Sequence, residues 1–274
     1  MTHTFNQSVA IITGGASGIG KSLVQQLAAL GAKVIIVDRN DEAGNALASS
    51  LKELSAEYYH ADMAINNEAQ ELFEYVLKTY GRIDYVFNCA GIFMAGEIRD
   101  TPLENWQTVI NNNIWAVNNG THYAYQVMLK QGNGHIINIA SAAGLFPVPV
   151  MSIYGASKFA IVGLTHGLRN EAKTLGINVS VVCPTVVNTP LYDTAIYNNL
   201  DKEKALKTRS TLQTPDVAAE KIIKGVAKNK ATIHTAISTQ VGWFAYKYVP
   251  GIYNYFAVRV IKKYRTVLRV NKNS

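Results

Sequence analysis

The sequence predicts an α/β chain built on a doubly wound parallel sheet, with helices on both faces and an aromatic, basic C-terminal extension. Three observations carry this. Short apolar, β-branched runs alternate with longer amphipathic segments, the pattern of strand–helix–strand units laid into one parallel sheet. Gly31, Gly81 and Gly176 each follow a helical pattern and precede a strand, where a left-handed C-cap is expected. The first strand runs into Thr13-Gly14-Gly15-Ala16-Ser17-Gly18-Ile19-Gly20, a glycine-rich turn that opens a helix.

Predicted strands cover residues 10–13, 33–37, 57–60, 83–88, 134–140 and 178–183, with a shorter one at 231–234. Helical patterns lie between them at 18–30, 41–54, 67–80, 103–129, 153–175 and 214–228. Asp41 reads as the N-cap of the second helix, and Pro215 fits the first turn after Thr214. No repeat, low-complexity tract or linker divides the chain.

Composition narrows the class. With 274 residues, 48% of them apolar, the chain can bury the core of one large domain. No basic segment with a long apolar stretch precedes the first strand, and no apolar run reaches about 18 residues, so neither a signal nor a spanning helix is expected. Two cysteines, Cys89 and Cys183, are too few for a disulfide framework and fit a reducing cytoplasm. Both read as small buried residues, and no metal site is expected. The net charge of +7 is uneven: from residue 201 onward there are 15 Lys and Arg against 4 Asp and Glu, leaving the first 200 residues net acidic. Without dense basic blocks or a nucleic-acid motif, that tail reads as a solvated basic surface, with no nucleic-acid partner.

Chemistry enters at Tyr154-Gly155-Ala156-Ser157-Lys158, which sets a phenol and an ammonium one helical turn apart on one face. A tyrosine titrates at about 10 in free peptides. A fixed positive charge close by favours the phenolate, lowers that pKa and makes the phenol a usable acid/base. At the other end, the glycines of the first turn let the backbone approach a pyrophosphate, and the helix N-terminus offers N–H groups and a favourable dipole. Asp38 ends the second strand, 18 residues beyond Gly20. A carboxylate there accepts from both hydroxyls of an adenosine ribose and repels a 2′-phosphate, which argues for NAD over NADP. Arg39 beside it is the counter-signal, and Ser17, where a base would assist NADP, is neutral.

Further pieces stand in register with these. Asp62 follows the third strand, Asn88-Cys89-Ala90-Gly91 follows the fourth, Asn113 lies in the pattern 103–129, and Ser141 falls 13 residues before Tyr154. In order and with matching gaps, from about residue 8 to residue 230, the chain resembles the short-chain dehydrogenase/reductase family in its single-domain Rossmann-fold branch. The resemblance implies that Tyr154 passes a proton to a carbonyl oxygen, or takes one from an alcohol, as hydride moves to or from a nicotinamide. It implies that Lys158 lowers the tyrosine pKa and holds the nicotinamide ribose, and that Ser141 hydrogen-bonds the substrate oxygen. Asn113 resembles the asparagine that holds a water in the proton relay. Its neighbours Asn111 and Asn112 make the register ambiguous, and Trp106 and Ile110 align best with Asn113.

For the cofactor, the resemblance implies NAD, with NADP less favoured. Gly14, Ser17, Gly18, Ile19 and Gly20 would meet the pyrophosphate, Asp38 and Arg39 the ribose, Asp62 and Met63 the adenine. Asn88, Ala90 and Gly91 would contact it through their backbone, and Tyr154 and Lys158 at the nicotinamide end. Pro184-Thr185-Val186-Val187-Asn188-Thr189 resembles the family's Pro-Gly-x-Val-x-Thr, implying roles for Pro184, the Val187 backbone and the Thr189 hydroxyl. Thr185 replaces the glycine, and a positive φ there would strain it. Gly15 for alanine and Cys89 for asparagine are milder departures. The family also implies a homodimer or homotetramer through 103–129 and 153–175.

Residues 1–235 read as one dinucleotide-binding and catalytic domain, and 236–274 as an extension. A lid is expected over 190–211, where helical spacing of Leu191, Tyr192, Ala195, Ile196, Tyr197 and Leu200 would turn an apolar face to the pocket. With Phe93, Met94, Leu145, Phe146, Pro147, Val148 and Val150, the pocket reads as apolar and suits a lipid-like or steroid-like alcohol or ketone. The extension interleaves aromatics with Lys and Arg. Packing on the domain or a second subunit, peripheral membrane contact, and a lid on the pocket all remain open for it. Two other functions stay in view: a catalytically silent dinucleotide-binding regulator or scaffold, and a lyase or epimerase using transient hydride transfer. Intact Ser141, Tyr154 and Lys158 weigh against the first, and the spacing of the first turn against the second.

Overall fold

Alternate residues of the central strands serve opposite faces of one sheet, and this is what the double winding rests on. Residues 5–207 and 213–270 are described by the structure, a computed structural model. In chain order the strands are β1 (Val9–Thr13), β2 (Lys33–Asp38), β3 (Ala56–His60), β4 (Tyr85–Asn88), β5 (Met94–Ala95), β6 (Gly134–Ile139), β7 (Ile177–Cys183), β8 (Ile196–Tyr197) and β9 (Thr232–His234). All but β5 and β8 join a parallel sheet of order β3-β2-β1-β4-β6-β7-β9. The helices are α1 (Gly18–Ala29), α2 (Asp41–Ser50), α3 (Asn66–Tyr80), α4 (Leu103–Val109), α5 (Ala116–Gln131), α6 (Ser152–Ala172), α7 (Lys202–Lys207), α8 (Pro215–Ala227), α9 (Ile237–Tyr248) and α10 (Pro250–Lys263).

On one face, Ala10 and Ile12 of β1 and Val34 and Ile36 of β2 pack with Leu23 and Leu27 of α1 and Ile222 of α8. On the other, Val9, Ile11, Ile35 and Val37 pack with Leu72 and Val76 of α3 and Met128 of α5. The two-residue period of a strand thus feeds two cores at once. Strand order reverses between β1 and β4, and a crevice opens at their carboxyl ends, the usual ligand position in such sheets.

The expected strands all form, and Gly31, Gly81 and Gly176 take the left-handed conformation expected of them. Thr214 caps α8 by accepting from Val217 N. Asn40, not Asp41, caps α2: its side chain accepts from Ala43 N. The Asp41 carboxylate instead accepts from the Tyr58 hydroxyl and meets His60 Nδ1, both at 2.8 Å, tying α2 to β3. The helix expected over 103–129 is broken into α4, a π-helical turn at Ile110–Trp115, and α5.

His135 on β6 illustrates how burial sets charge. Its Nε2 lies 2.8 Å from Ser180 Oγ, whose own proton goes to Lys230 O at 2.7 Å, so the imidazole donates from Nε2 and is neutral. Burial, with the Arg169 charge acting in the same direction, depresses its pKa to about 3. Between that value and the unfolded value of about 6.5, only the unfolded chain binds the proton. Stability is therefore present above about 6.5 and falls by roughly 1.4 kcal/mol per pH unit below it. Thermal denaturation followed from neutral pH into acid should show a shallower loss in His135→Gln than in the parent; parallel slopes would refute this assignment.

Candidate active site at the carboxyl ends of the strands

A cleft of about 450 Å³ opens where β1 and β4 diverge. Its floor is the glycine turn. Gly14 has φ +62° and lies so close to the loop after β4 that a Cβ would stand 3.0 Å from the Ala90 backbone. Gly18, at φ +51°, faces Thr189 at the same separation. Thr13 fastens the two loops, its Oγ1 accepting from Cys89 N at 3.0 Å and Ala90 N at 3.1 Å. Ser17 stands at the N-cap of α1 without a side-chain capping bond, and Gly18, Ile19 and Gly20 of its first turn line the cleft. Free N–H groups at such an end suit a phosphate.

Asp38 is held at the end of β2 by Ala16 N and Asn40 N, each at 3.1 Å. Arg39 turns across the cleft, with Nη1 3.8 Å from Asp62 Oδ2 and 3.4 Å from Asn112 Oδ1. Asp62, Met63, Ala90, Gly91, Pro184, Val187 and Thr189 all line the cleft. Asn88 does not. It is fully buried, and its Nδ2 donates to Asn138 Oδ1 at 2.8 Å and Thr121 Oγ1 at 3.3 Å, so its side chain ties β4 to β6 and α5 while Cys89 takes the lining position. Thr185 carries no strain: it is not among the described residues with positive φ, and its N–H donates to Thr235 Oγ1 at 3.3 Å.

The reactive groups converge from three elements. Ser141 follows β6 and caps the short 3-10 turn Ala142–Gly144, accepting from Ala143 N at 3.2 Å. Tyr154 and Lys158 project from the first turns of α6, with the Lys158 ammonium 5.6 Å from the Tyr154 ring centre and donating to Ile139 O at 3.1 Å. Asn113 is fully buried inside the π-helical turn. Its Oδ1 accepts from Ile92 N at 2.7 Å, and its Nδ2 donates to Ile92 O at 3.1 Å and Ser157 Oγ at 3.0 Å. The Ser157 hydroxyl in turn donates to Tyr154 O at 2.7 Å. Asn111 bonds along its own helix and Asn112 to that helix and Arg39, which singles out Asn113 as the residue that joins the loop after β4 to α6. The role of Thr13 and the cleft position of Asn112 escaped sequence reasoning; only their adjacency to the glycine turn and to Asn113 hinted at them.

Burial overrides charge at this site. The phenol of Tyr154 is pushed above its ordinary value by burial, with the Tyr192 phenol acting the same way and the Ser141 hydroxyl opposing through a hydrogen bond. Burial pulls Lys158 down to about 8. The lowering of the tyrosine by its neighbouring ammonium, expected from the spacing, is not what sets its pKa; loss of water around the phenol does. At neutral pH the tyrosine holds its proton.

Beyond Tyr154 lies a packed apolar cluster. Phe93 meets Tyr154 and Tyr192 edge-on, each at 5.0 Å between ring centres. Leu191, Tyr192, Ala195, Tyr197, Leu200, Val148 and Val150 gather round them, as expected. Met94 and Ile196 instead pack with Val109 and Ile153, Leu145 packs with Ile161 and Val181, and Phe146 sits beneath Gly242 of α9. The lid is not one helix. It runs through a 3-10 turn at Pro190–Tyr192 and β8, which pairs with β5, before α7; residues 208–211 lie outside the described residues. The chain returns to this cluster near its end. Tyr264 and Leu268, in a π-helical turn after α10, pack into the same cluster.

The model of the short chain dehydrogenase family matches residues 8–199. An uncharacterized oxidoreductase of Staphylococcus epidermidis is 33% identical over 199 residues, covering 73% of this chain and 86% of that protein. One of Staphylococcus aureus is 35% identical over 196 residues, covering 72% and 84%. Among solved structures, a short chain dehydrogenase/reductase of Burkholderia phymatum in complex with NAD superposes with a TM-score of 0.81 at 27% identity, over 87% of this chain and 92% of that one. A short-chain dehydrogenase of Sphingobium yanoikuyae in complex with NADPH gives 0.77 at 25% identity, over 89% and 93%. With its seven-stranded parallel sheet and the family match across most of its length, this chain belongs to the short-chain dehydrogenase/reductase family of oxidoreductases.

Proposed function

We propose that the protein is an NAD(H)-dependent oxidoreductase that interconverts a hydrophobic secondary alcohol and its ketone. The observation that carries the reading is the meeting of Ser141, Tyr154 and Lys158 in the cleft that also holds the glycine cradle and Asp38. When bound there, the dinucleotide supplies the hydride acceptor or donor. Tyr154 moves the proton at the substrate oxygen, and Ser141 donates a hydrogen bond to that oxygen as charge develops. Lys158 supplies positive charge beside the phenol and the nicotinamide ribose. Asn113 holds the loop after β4 and the start of α6 in register. The apolar cluster around Phe93 and Tyr192, beside Tyr154, supports a lipid-like or steroid-like substrate. Exposed Trp115 and Phe159, at the α5 and α6 faces, support a homodimer or homotetramer there.

The choice of NAD rests on Asp38. Its carboxylate, fixed by two backbone N–H groups, repels a 2′-phosphate, while Arg39 is drawn toward Asp62. A panel of alcohols and ketones run with both dinucleotides, read at the reduced-nicotinamide band, tests the proposal. The expected result is turnover with NAD(H) on bulky apolar substrates; preference for NADP(H), or for short polar alcohols, overturns the corresponding part. In Asp38→Ser, removing the repulsion and the charged hydrogen bonds should raise the KM for NAD and lower that for NADP, each by at least roughly tenfold.

A further inference from the structure

The α9–α10 hairpin is held to the domain by only a narrow seam. Gly242 lies so close to Phe146 that a Cβ there would meet the ring at 2.8 Å, and Tyr253 meets the same ring at 6.1 Å. Thr239 is the one buried residue of α9, and α10 has none. Ile237, Val241, Phe244 and Tyr248 recur along one face of α9, and Ile252 and Phe256 share one face of α10, all more than half exposed. So large an apolar surface on a folded chain marks a contact.

Charge says what kind. From residue 236 to the C-terminus there are seven Lys and Arg and no Asp or Glu. The cations sit beside the rings: the Arg259 guanidinium lies 4.5 Å over Tyr255, and the Lys247 ammonium 5.0 Å over Trp243. Aromatics at headgroup depth with cations reaching to phosphate is the arrangement of a helix lying in a bilayer surface. Among the described residues no helix is long and apolar enough to cross a membrane. In a two-fold contact of this face with itself, the partner hairpin would bring no carboxylate to pair Arg259, Lys262 and Lys263.

We propose that the outer face of the α9–α10 hairpin docks the protein on an anionic lipid surface. The full chain is tested by co-sedimentation with phosphatidylcholine vesicles, with and without a share of phosphatidylglycerol, at low and high salt. It should pellet with the anionic vesicles, be released by salt, and pellet far less with the neutral ones. Lys262→Gln with Lys263→Gln should weaken partitioning roughly 30-fold, and Phe244→Ser with Phe256→Ser more than roughly tenfold. All four positions lie outside the cleft, so dinucleotide binding serves as the control for folding. No pelleting of the folded parent, or equal pelleting with both vesicles, overturns the proposal. So does a light-scattering mass that falls when Phe244 and Phe256 are replaced, which would make a second copy the occupant. The readout is binding alone, and its failure leaves the oxidoreductase reading untouched.

Discussion

Tyr154→Phe should cost about 10³-fold in kcat/KM, near 4 kcal/mol of transition-state stabilisation, while dinucleotide affinity stays within a few-fold of the parent. Only the hydroxyl is lost. The edge contact with Phe93 at 5.0 Å and the Ser157 bond to the residue 154 carbonyl do not need it, so the fold and the cleft survive. The pH profile sharpens the test. Because burial raises the phenol pKa, the phenolate is scarce at neutral pH and its fraction climbs about tenfold per unit as pH rises. Alcohol oxidation by the parent should therefore rise between pH 6 and about 8, the range below the depressed pKa of Lys158, where the ammonium keeps its charge. The Phe variant should show a flat residual rate. Turnover near the parental level in Tyr154→Phe would remove the proton-transfer role and with it the enzymatic reading of the site.

The placement of Tyr154 and Lys158 on one helix face was legible in the sequence, but its electrostatics were not. Lys158 follows Tyr154 by four positions, and helical geometry follows from that; how much water reaches them depends on Phe93 and Tyr192, which lie far away in the chain. The strands and glycine turns were readable because alternation and left-handed caps are local signals. The π-helical turn at Ile110–Trp115 was hidden by an unbroken helical period and is tied to bonds between Asn113 and Ile92, across 21 positions. Two-residue strands such as β5 and β8 are too short to carry a period at all. In the extension, amphipathic spacing left three roles open. What distinguishes its end from its middle is a pair of acidic partners, Glu97 and Asp100, almost 170 positions upstream.

Arg269→Ala should release that end. The guanidinium Nη2 lies 2.8 Å from Asp100 Oδ1, with 4% and 8% of the two side chains exposed, and Asn199 Nδ2 donates to the same oxygen at 3.1 Å. Around this pair the backbone forms a short antiparallel contact: Asp201 N donates to Leu268 O at 2.9 Å and Val270 N to Asn199 O at 3.2 Å. Two charges this dry are costly to bury, and removing one leaves the other stranded, at about 3–5 kcal/mol. The cheapest relief is local. Segment 264–270 peels away, Asp100 reaches water, and Tyr264 and Leu268 leave the apolar cluster. Amide exchange in 264–270 should accelerate roughly 10²–10³-fold, and KM for an apolar substrate should rise while dinucleotide affinity holds, since no residue of 264–270 lines the cleft. Arg265→Ala is the contrast. Its partner Glu97 also meets Arg99, and Arg265 itself is half exposed, so water screens the pair and its loss should barely register in either measurement. Equal effects from the two arginines would mean that the strap is held by its apolar contacts alone, and that the buried pair does not fix Tyr264 and Leu268 in the apolar cluster.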